Sequence, residues 1–190
     1  MKLIILDRDG TINEDSDDFV KSADEWLPMP GALEAIARLN HGGWHVVVAS
    51  NQSGLGRGLF DLAALNAMHA KMNKLLAAHG GKIDAVFYCP HTPEDACHCR
   101  KPQPGLFEQI LERYGIDLDQ PPYEATSTVH AVGDSLRDLQ AGVAVGCQLH
   151  LVLTGKGAIY RNQELPANYP ANTQVHADLA AFADSLLRAV

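Results

Sequence analysis

The sequence predicts an α/β fold: a doubly wound, mostly parallel sheet with helices on both faces. Short apolar runs, among them Leu3–Leu6, His45–Ala49 and Val129–Val132, have the length of fully buried strands. Between them lie segments whose apolar residues recur every three or four positions. Strands therefore alternate with helices, the order that builds a parallel sheet with right-handed crossovers. Length sets the scale: 190 residues suffice for one substantial core and are short for two. One domain over residues 1–190 is expected.

Strand Leu3–Leu6 is followed by a long polar loop from Asp7 to Pro30. A helix from about Ala32 sets Leu33, Ile36 and Leu39 on one face and stops at Gly42-Gly43. Strand His45–Ala49 leads into the glycine-rich stretch Ser53–Gly58. Its spacing fails a nucleotide-binding fingerprint at Leu59, so it reads as a flexible loop over a substrate. Asp61 caps a helix bearing Leu62, Leu65, Met68, Met72 and Leu75 at helical spacing. Strand Ala85–Tyr88 enters a loop over 89–99 rich in cysteine. A helix spans Gly105–Tyr114, and Gln120-Pro121-Pro122-Tyr123 is a connection. Strand Val129–Val132, helix Leu136–Ala144, strand Gln148–Leu153 and a helix near Ala177–Leu187 complete the order.

A formal charge of −8 argues against a nucleic-acid or acidic-membrane surface, though not against a phosphorylated small molecule held by a few local cations. No apolar run approaches a membrane span, and the first residues enter a strand at once, leaving no room for a signal peptide. Three of the four cysteines lie within eleven positions beside a histidine, which fits metal binding in a reducing cytoplasm better than disulfides. A cytoplasmic monomer without nucleic-acid or membrane partners is expected.

The chemistry gathers at strand ends, where ligands of parallel sheets bind. Asp7-Arg8-Asp9-Gly10-Thr11 follows the first strand, and residues two apart in extended chain point the same way. Carboxylates so placed repel, which a bound cation or a raised pKa relieves; alone, the string is also an ordinary turn. Three later segments follow in order: Ser50-Asn51-Gln52-Ser53-Gly54, Arg100-Lys101-Pro102, and Gly133-Asp134-Ser135-Leu136-Arg137-Asp138. Together they offer a carboxylate nucleophile, a hydroxyl beside a backbone amide, a lysine and further carboxylates, the parts that phosphoryl transfer through an aspartyl-phosphate requires. Cys89-x-His91 and Cys97-x-Cys99 present three thiols and an imidazole, a set suited to a closed Zn²⁺ site; buried free thiols or a redox pair are the alternatives. Cys147 stands alone. Histidines such as His41, His69, His79 and His150 are scattered and carry no assigned role.

Taken in order, these segments resemble the four motifs of the haloacid dehalogenase-like phosphohydrolases, from Leu3 to about Gly157. The resemblance implies Asp7 as nucleophile and Asp9, its pKa raised by partial burial, as general acid and then base. It implies Mg²⁺ on the Asp7 carboxylate, the Asp9 backbone carbonyl and Asp134, with Ser50 and Lys101 on phosphoryl oxygens. Asp138 would orient Lys101 or sit at a helix N-terminus. Many members carry threonine where this chain has Ser50, which keeps the hydroxyl. Such proteins often insert a cap domain, but neither Asp7–Ser50 nor Ser50–Lys101 has room for one, so the site should be open.

Within the family, Ser50–Gly54, Cys89-Pro90-His91 and Cys97–Pro102 are similar to the zinc-loop phosphatases of heptose 1,7-bisphosphate and of histidinol phosphate. That likeness implies a structural Zn²⁺ on Cys89, His91, Cys97 and Cys99, steadying Arg100 and Lys101. It implies substrate contacts at Asn51, Gln52, Ser53, Arg57 and Arg100, with Arg100 meeting a distal phosphate or sugar hydroxyls. The expected activity is Mg²⁺-dependent release of the 7-phosphate of a heptose bisphosphate, a step toward heptose glycans such as lipopolysaccharide. Histidinol phosphate is the alternative, with Asp15, Asp17 and Asp18 offering an acidic pocket. A non-catalytic zinc-loop module is disfavoured by intact Asp7 and Asp9, and a polynucleotide 3′-phosphatase by the lack of a basic track.

Overall fold

The computed structural model describes residues 1–117 and 129–188. Six parallel strands form one sheet in the order β3-β2-β1-β4-β5-β6. They are β1 (Leu3–Leu6), β2 (His45–Asn51), β3 (Ala85–Cys89), β4 (Val129–Gly133), β5 (Gln148–Val152) and β6 (Gln174–His176). The helices are α1 (Ala32–His41), α2 (Ser53–Gly56), α3 (Leu62–Ala78), α4 (Gly105–Arg113), α5 (Leu136–Ala144) and α6 (Leu179–Arg188).

Alternation along β1 divides the core. Ile4 and Leu6 join Leu33, Ile36, Met68, Met72 and Phe182 under α1, α3 and α6. Leu3 and Ile5 join Leu106, Phe107, Ile110 and Leu139 under α4 and α5. All four β1 side chains are fully buried, each contributing roughly 1.5–3 kcal/mol by leaving water. Central strands buried on both faces are why these runs show no polar alternation. Among the described residues, the β1–β2 interval adds one helix and the β2–β3 interval adds α2 and α3, so no cap is inserted.

Several expectations need correction. The stretch beginning at Ser53 is a helical turn, with Ser53 and Gly54 buried, and not a free loop. A Cβ at Gly54 would sit 2.5 Å from Phe60 and 3.3 Å from Phe19, so only glycine allows this approach. The Asp7–Pro30 loop is not wholly polar: Ile12, Val20 and Trp26 are buried from it. Leu62 is half exposed and Leu76 takes the inner position in its place, although Asp61 does cap α3 through Ala64 N at 2.8 Å. β2 and β3 run on to Asn51 and Cys89, α4 ends at Arg113, α6 starts at Leu179, and the edge strand β6 was not anticipated. Its side chains are exposed or half-buried, so it lacks the apolar run by which a buried strand is recognised. The connection assigned to Gln120–Tyr123 lies outside the described residues.

The histidines are not all scattered. His130, His150 and His176 form a chain across β4, β5 and β6, with Nδ1···Nε2 distances of 2.8 and 3.0 Å. Burial depresses the His130 pKa to about 4, and burial with its two neighbours pushes His150 down as well. A histidine that resists protonation only when folded contributes stability above the unfolded value of about 6.5 that is lost as pH falls. Urea unfolding at pH 7 and pH 5 should therefore show a loss smaller by about 2 kcal/mol in His150→Gln than in the parent chain. An unchanged difference would refute this account of the chain.

Candidate active site

The β1 pairing continues one residue past the strand, with Asp7 N donating to Val132 O at 2.9 Å, which delivers Asp7 to the carboxyl edge of the sheet. The turn beyond is closed by the amides of Thr11, Ile12 and Asn13 on Arg8 O. Gly10 takes φ +84°, and a Cβ there would collide with the Asp134 carboxylate. The Asp-x-Asp-Gly string is thus a turn as well as a site, its glycine required by the close approach of a second acid.

Asp7, Asp9, Asn51, Gln52, Ser53, Arg57, Arg100 and Lys101 all line one cavity of about 300 Å³. Asp7 Oδ1 accepts from Arg8 N and from Lys101 Nζ, each at 2.8 Å, while Oδ2 has no hydrogen bond among the described residues. Lys101, nearly fully buried, also donates to Asp138 Oδ1 and Ala49 O at 2.7 Å. Burial disfavours its charge, but Asp138 and Asp7 outweigh that and raise its pKa. Both readings of Asp138 hold together: it binds Lys101, and its Oδ2 accepts from Ser135 N and Oγ in a capping box at the start of α5.

Asp9 departs from expectation. Burial pushes its pKa up, but the Arg8 charge and hydrogen bonds from Asn13, Gln52 and Arg8 prevail and hold it below the usual carboxylate value. Arg8 is fully buried and grips Asp9 through Nε at 3.0 Å and Nη2 at 2.9–3.2 Å. Its Nη1 lies 3.3 Å from His69 Nε2, so His69 must be the acceptor; burial and then Arg8 hold its pKa down at about 4.

Ser50 is fully buried and is not among the cavity-lining residues; its Oγ accepts from Gln52 Nε2 at 2.7 Å. Gln52 also donates to Asp9 Oδ2 at 3.0 Å. The Asn51 side chain clasps the Lys101 backbone, Nδ2 to O and Oδ1 from N, both at 3.0 Å. Asn51 and Gln52 therefore orient Lys101 and Asp9 with the groups expected to meet substrate.

Oxygens of Asp7, Asp134 and Asp138 lie within 4.8 Å of one another. Burial first, then neighbouring carboxylates, push Asp7 to about 6 and Asp134 to about 8. Crowded, desolvated carboxylates of this kind fit a hard divalent ion such as Mg²⁺. With Asp138 engaged by Lys101 and Ser135, Asp7 and Asp134 are the available ligands, and the Asp9 side chain is turned to Arg8.

The second cluster is shaped for another metal. Cys89 Sγ lies 3.5 Å from Cys97 Sγ and 3.2 Å from Cys99 Sγ, with Cys97 and Cys99 3.6 Å apart. His91 Nδ1 is 3.5 Å from Cys89 Sγ and 3.2 Å from Cys99 Sγ. Ligands on a tetrahedron of Zn–S bond length stand about 3.8 Å apart, so these four atoms already outline one. The four cysteines are free thiols, which removes the disulfide alternative. Cys147, buried elsewhere, has its pKa pushed to about 12 by burial and is inert.

A family model described as HAD-hydrolase-like matches residues 98–182, and one described as polynucleotide kinase 3 phosphatase matches residues 2–137. The D-glycero-beta-D-manno-heptose-1,7-bisphosphate 7-phosphatase of Bordetella bronchiseptica is 55% identical over 99% of both chains. This chain belongs to the haloacid dehalogenase-like phosphatases. The enzyme of the same name from Pseudomonas aeruginosa is 52% identical over 98% of both chains. A crystal structure of the D,D-heptose 1,7-bisphosphate phosphatase from B. bronchiseptica, complexed with magnesium and phosphate, superposes with a TM-score of 0.90 over the whole of both chains.

Reading the motifs alone missed four residues of this phosphatase site. Arg8 and Asn13 hold Asp9, Arg137 lines the cavity, and Lys156 donates its amide to Asp134 Oδ2 at 2.7 Å and its Nζ to Asp15 at 2.8 Å. Arg8 and Arg137 sit inside motifs at positions where any residue is allowed, and Lys156 follows β5, where no motif points.

Proposed function

We propose that this chain hydrolyses the 7-phosphate of D-glycero-beta-D-manno-heptose 1,7-bisphosphate through an aspartyl-phosphate. Asp7 Oδ2 attacks phosphorus, Lys101 neutralises a phosphoryl oxygen, and the leaving alkoxide takes a proton from Asp9. Asp9 then removes a proton from the water that attacks the aspartyl-phosphate, and inorganic phosphate leaves. Since Arg8 keeps Asp9 ionised in the free site, its proton must come with the substrate, whose phosphate charge beside Asp9 raises its proton affinity. A Mg²⁺ on Asp7, the Asp9 carbonyl and Asp134 would offset the charge building on phosphorus and its oxygens. Ser50 acts from behind Gln52, and Ser53 and Arg57 border the substrate. A Zn²⁺ on Cys89, His91, Cys97 and Cys99 would be structural, since four protein ligands leave no open position. We read residues 1–190 as one domain acting as a cytoplasmic monomer without nucleic-acid partners; among the described residues no helix is long and apolar enough to cross a membrane.

The charge left over in the cavity carries this reading. Lys101 is paired with Asp7 and Asp138, and Lys156 with Asp15. Arg57, Arg100 and Arg137 line the same cavity, and no ion pair joins any of them to a carboxylate among the described residues. Arg100 Nη1 is buried without a hydrogen bond, and Arg137 lies near enough to oppose the Arg100 charge. Guanidinium groups gathered against their own repulsion suit a second phosphate. Among the described lining residues a zwitterionic histidinol phosphate would find only the Asp17 carboxylate outside an ion pair, and Asp18 is not among them.

Arg100→Ala should lower kcat/KM for the bisphosphate by roughly 10–100-fold, with a much smaller loss on heptose 7-phosphate. Equal losses on both would refute the distal-phosphate role. Faster turnover of histidinol phosphate than of the bisphosphate by the parent chain would overturn the proposed substrate.

A further inference from the structure

Phe19 occupies a backbone conformation that its side chain disfavours. Its φ is +66°, and among the described residues only Ala96 shares a positive φ without being glycine. A bulky aromatic residue in the left-handed region costs about 1–3 kcal/mol and persists only where its surroundings enforce it. They do so here. Phe19 N donates to Ser16 O at 3.1 Å, and Lys21 Nζ donates to the carbonyls of Asp18 at 2.8 Å and Phe19 at 3.3 Å. Glu25 in turn accepts from Lys21 N at 2.8 Å. Asparagine or glycine would take this turn without cost, so the turn alone gives no reason for phenylalanine.

The cavity supplies one. Among the described residues, Phe19 and its buried neighbour Val20 are the only apolar ones lining it; the others are polar or charged. A Cβ at Gly54 would lie 3.3 Å from Phe19 Cδ1, so the ring sits beside α2 where that side chain is missing. Asp7 and Lys101 hold the phosphoryl end of the same cavity, and Arg57, Arg100 and Arg137 supply unpaired charge elsewhere on its wall. A pyranose spanning two phosphate sites has hydroxyls at its edge and a face of C–H bonds, for which the groups named so far offer no surface.

We propose that Phe19 is a specificity-determining residue, its ring forming the wall against which the carbon face of the sugar lies. This rests on the sugar-bisphosphate reading above. The strained turn holds the ring on the wall of the cavity that Asp7, Lys101 and the three arginines also line. Phosphate esters without a ring gain nothing from that wall.

Phe19→Gly separates this role from a structural one, because glycine relieves the backbone strain while removing the ring. The melting temperature of the variant should equal or exceed that of the parent. Its KM for the heptose bisphosphate should rise about 10-fold with kcat within about 3-fold, and kcat/KM for glycerol phosphate should be unchanged. Phe19→Tyr, which keeps the ring, should restore the parent KM. An unchanged KM in Phe19→Gly, or equal losses on both substrates, would overturn the assignment while leaving the bisphosphatase activity of the parent intact. A parent chain inactive on the bisphosphate would instead refute the underlying reading and this inference with it.

Discussion

Asp7→Asn should lower turnover by at least ~10³-fold and leave the fold intact. Asparagine fills the same space, and Lys101 keeps Asp138 and Ala49 O as partners, so no buried charge is orphaned. What disappears is the anionic oxygen that Asp7 holds free of hydrogen bonds at the cavity wall. The variant should melt within a few degrees of the parent and show no phosphorylated intermediate. A fluoride-based phosphate mimic should be found on Asp7 in the parent chain. Undiminished kcat in the variant would end the case for a covalent mechanism.

Removing the zinc cluster should be nearly as damaging, by a different route. Cys99 is close to all three of its partners and directly precedes Arg100 and Lys101. Structural Zn²⁺ binding is worth about 10–16 kcal/mol in small peptides, and in this chain it would hold a loop with little regular structure of its own beyond the turn Pro93–Asp95. Cys99→Ser should lose the metal, lower the melting temperature and reduce kcat at least ~10²-fold as Lys101 loses its register against Asp7. Metal analysis of the parent, purified without chelator, should give about one Zn²⁺ per chain. A mild chelator followed by Mg²⁺ should restore activity without added zinc, because thiolates hold zinc far more tightly than carboxylates hold magnesium. Parent protein lacking zinc, or a fully active Cys99→Ser, would refute the structural role.

Most of the fold was legible because its signals are local. Buried parallel strands are short apolar runs, and β1 and α5 have the bounds read from the sequence. The positions of Asp7, Lys101 and Asp134 were legible for a related reason: each follows a strand or the Cys97-x-Cys99 pair, so position along the chain implies position at the sheet edge. β6 escaped because an exposed edge strand has no buried face to impose a pattern. The turn at Ser53–Gly56 escaped because glycine spacing says nothing about the side chains that close on Gly54, Phe60 just beyond the turn and Phe19 far back in the chain.

By itself, then, the sequence determined the α/β class, the order of elements and which residues reach the active edge. Hydrophobic period and strand-end position are properties of a segment and its neighbours. Only the tertiary structure decided what those residues do to one another: that Gln52 donates to Asp9, that Asn51 clasps Lys101, that Arg137 stands beside Arg100, and that three histidines from separate strands form one chain. Proton affinity and charge pairing depend on distances of a few ångströms between residues far apart in the chain, and those distances exist only once the strands have taken their places in the sheet.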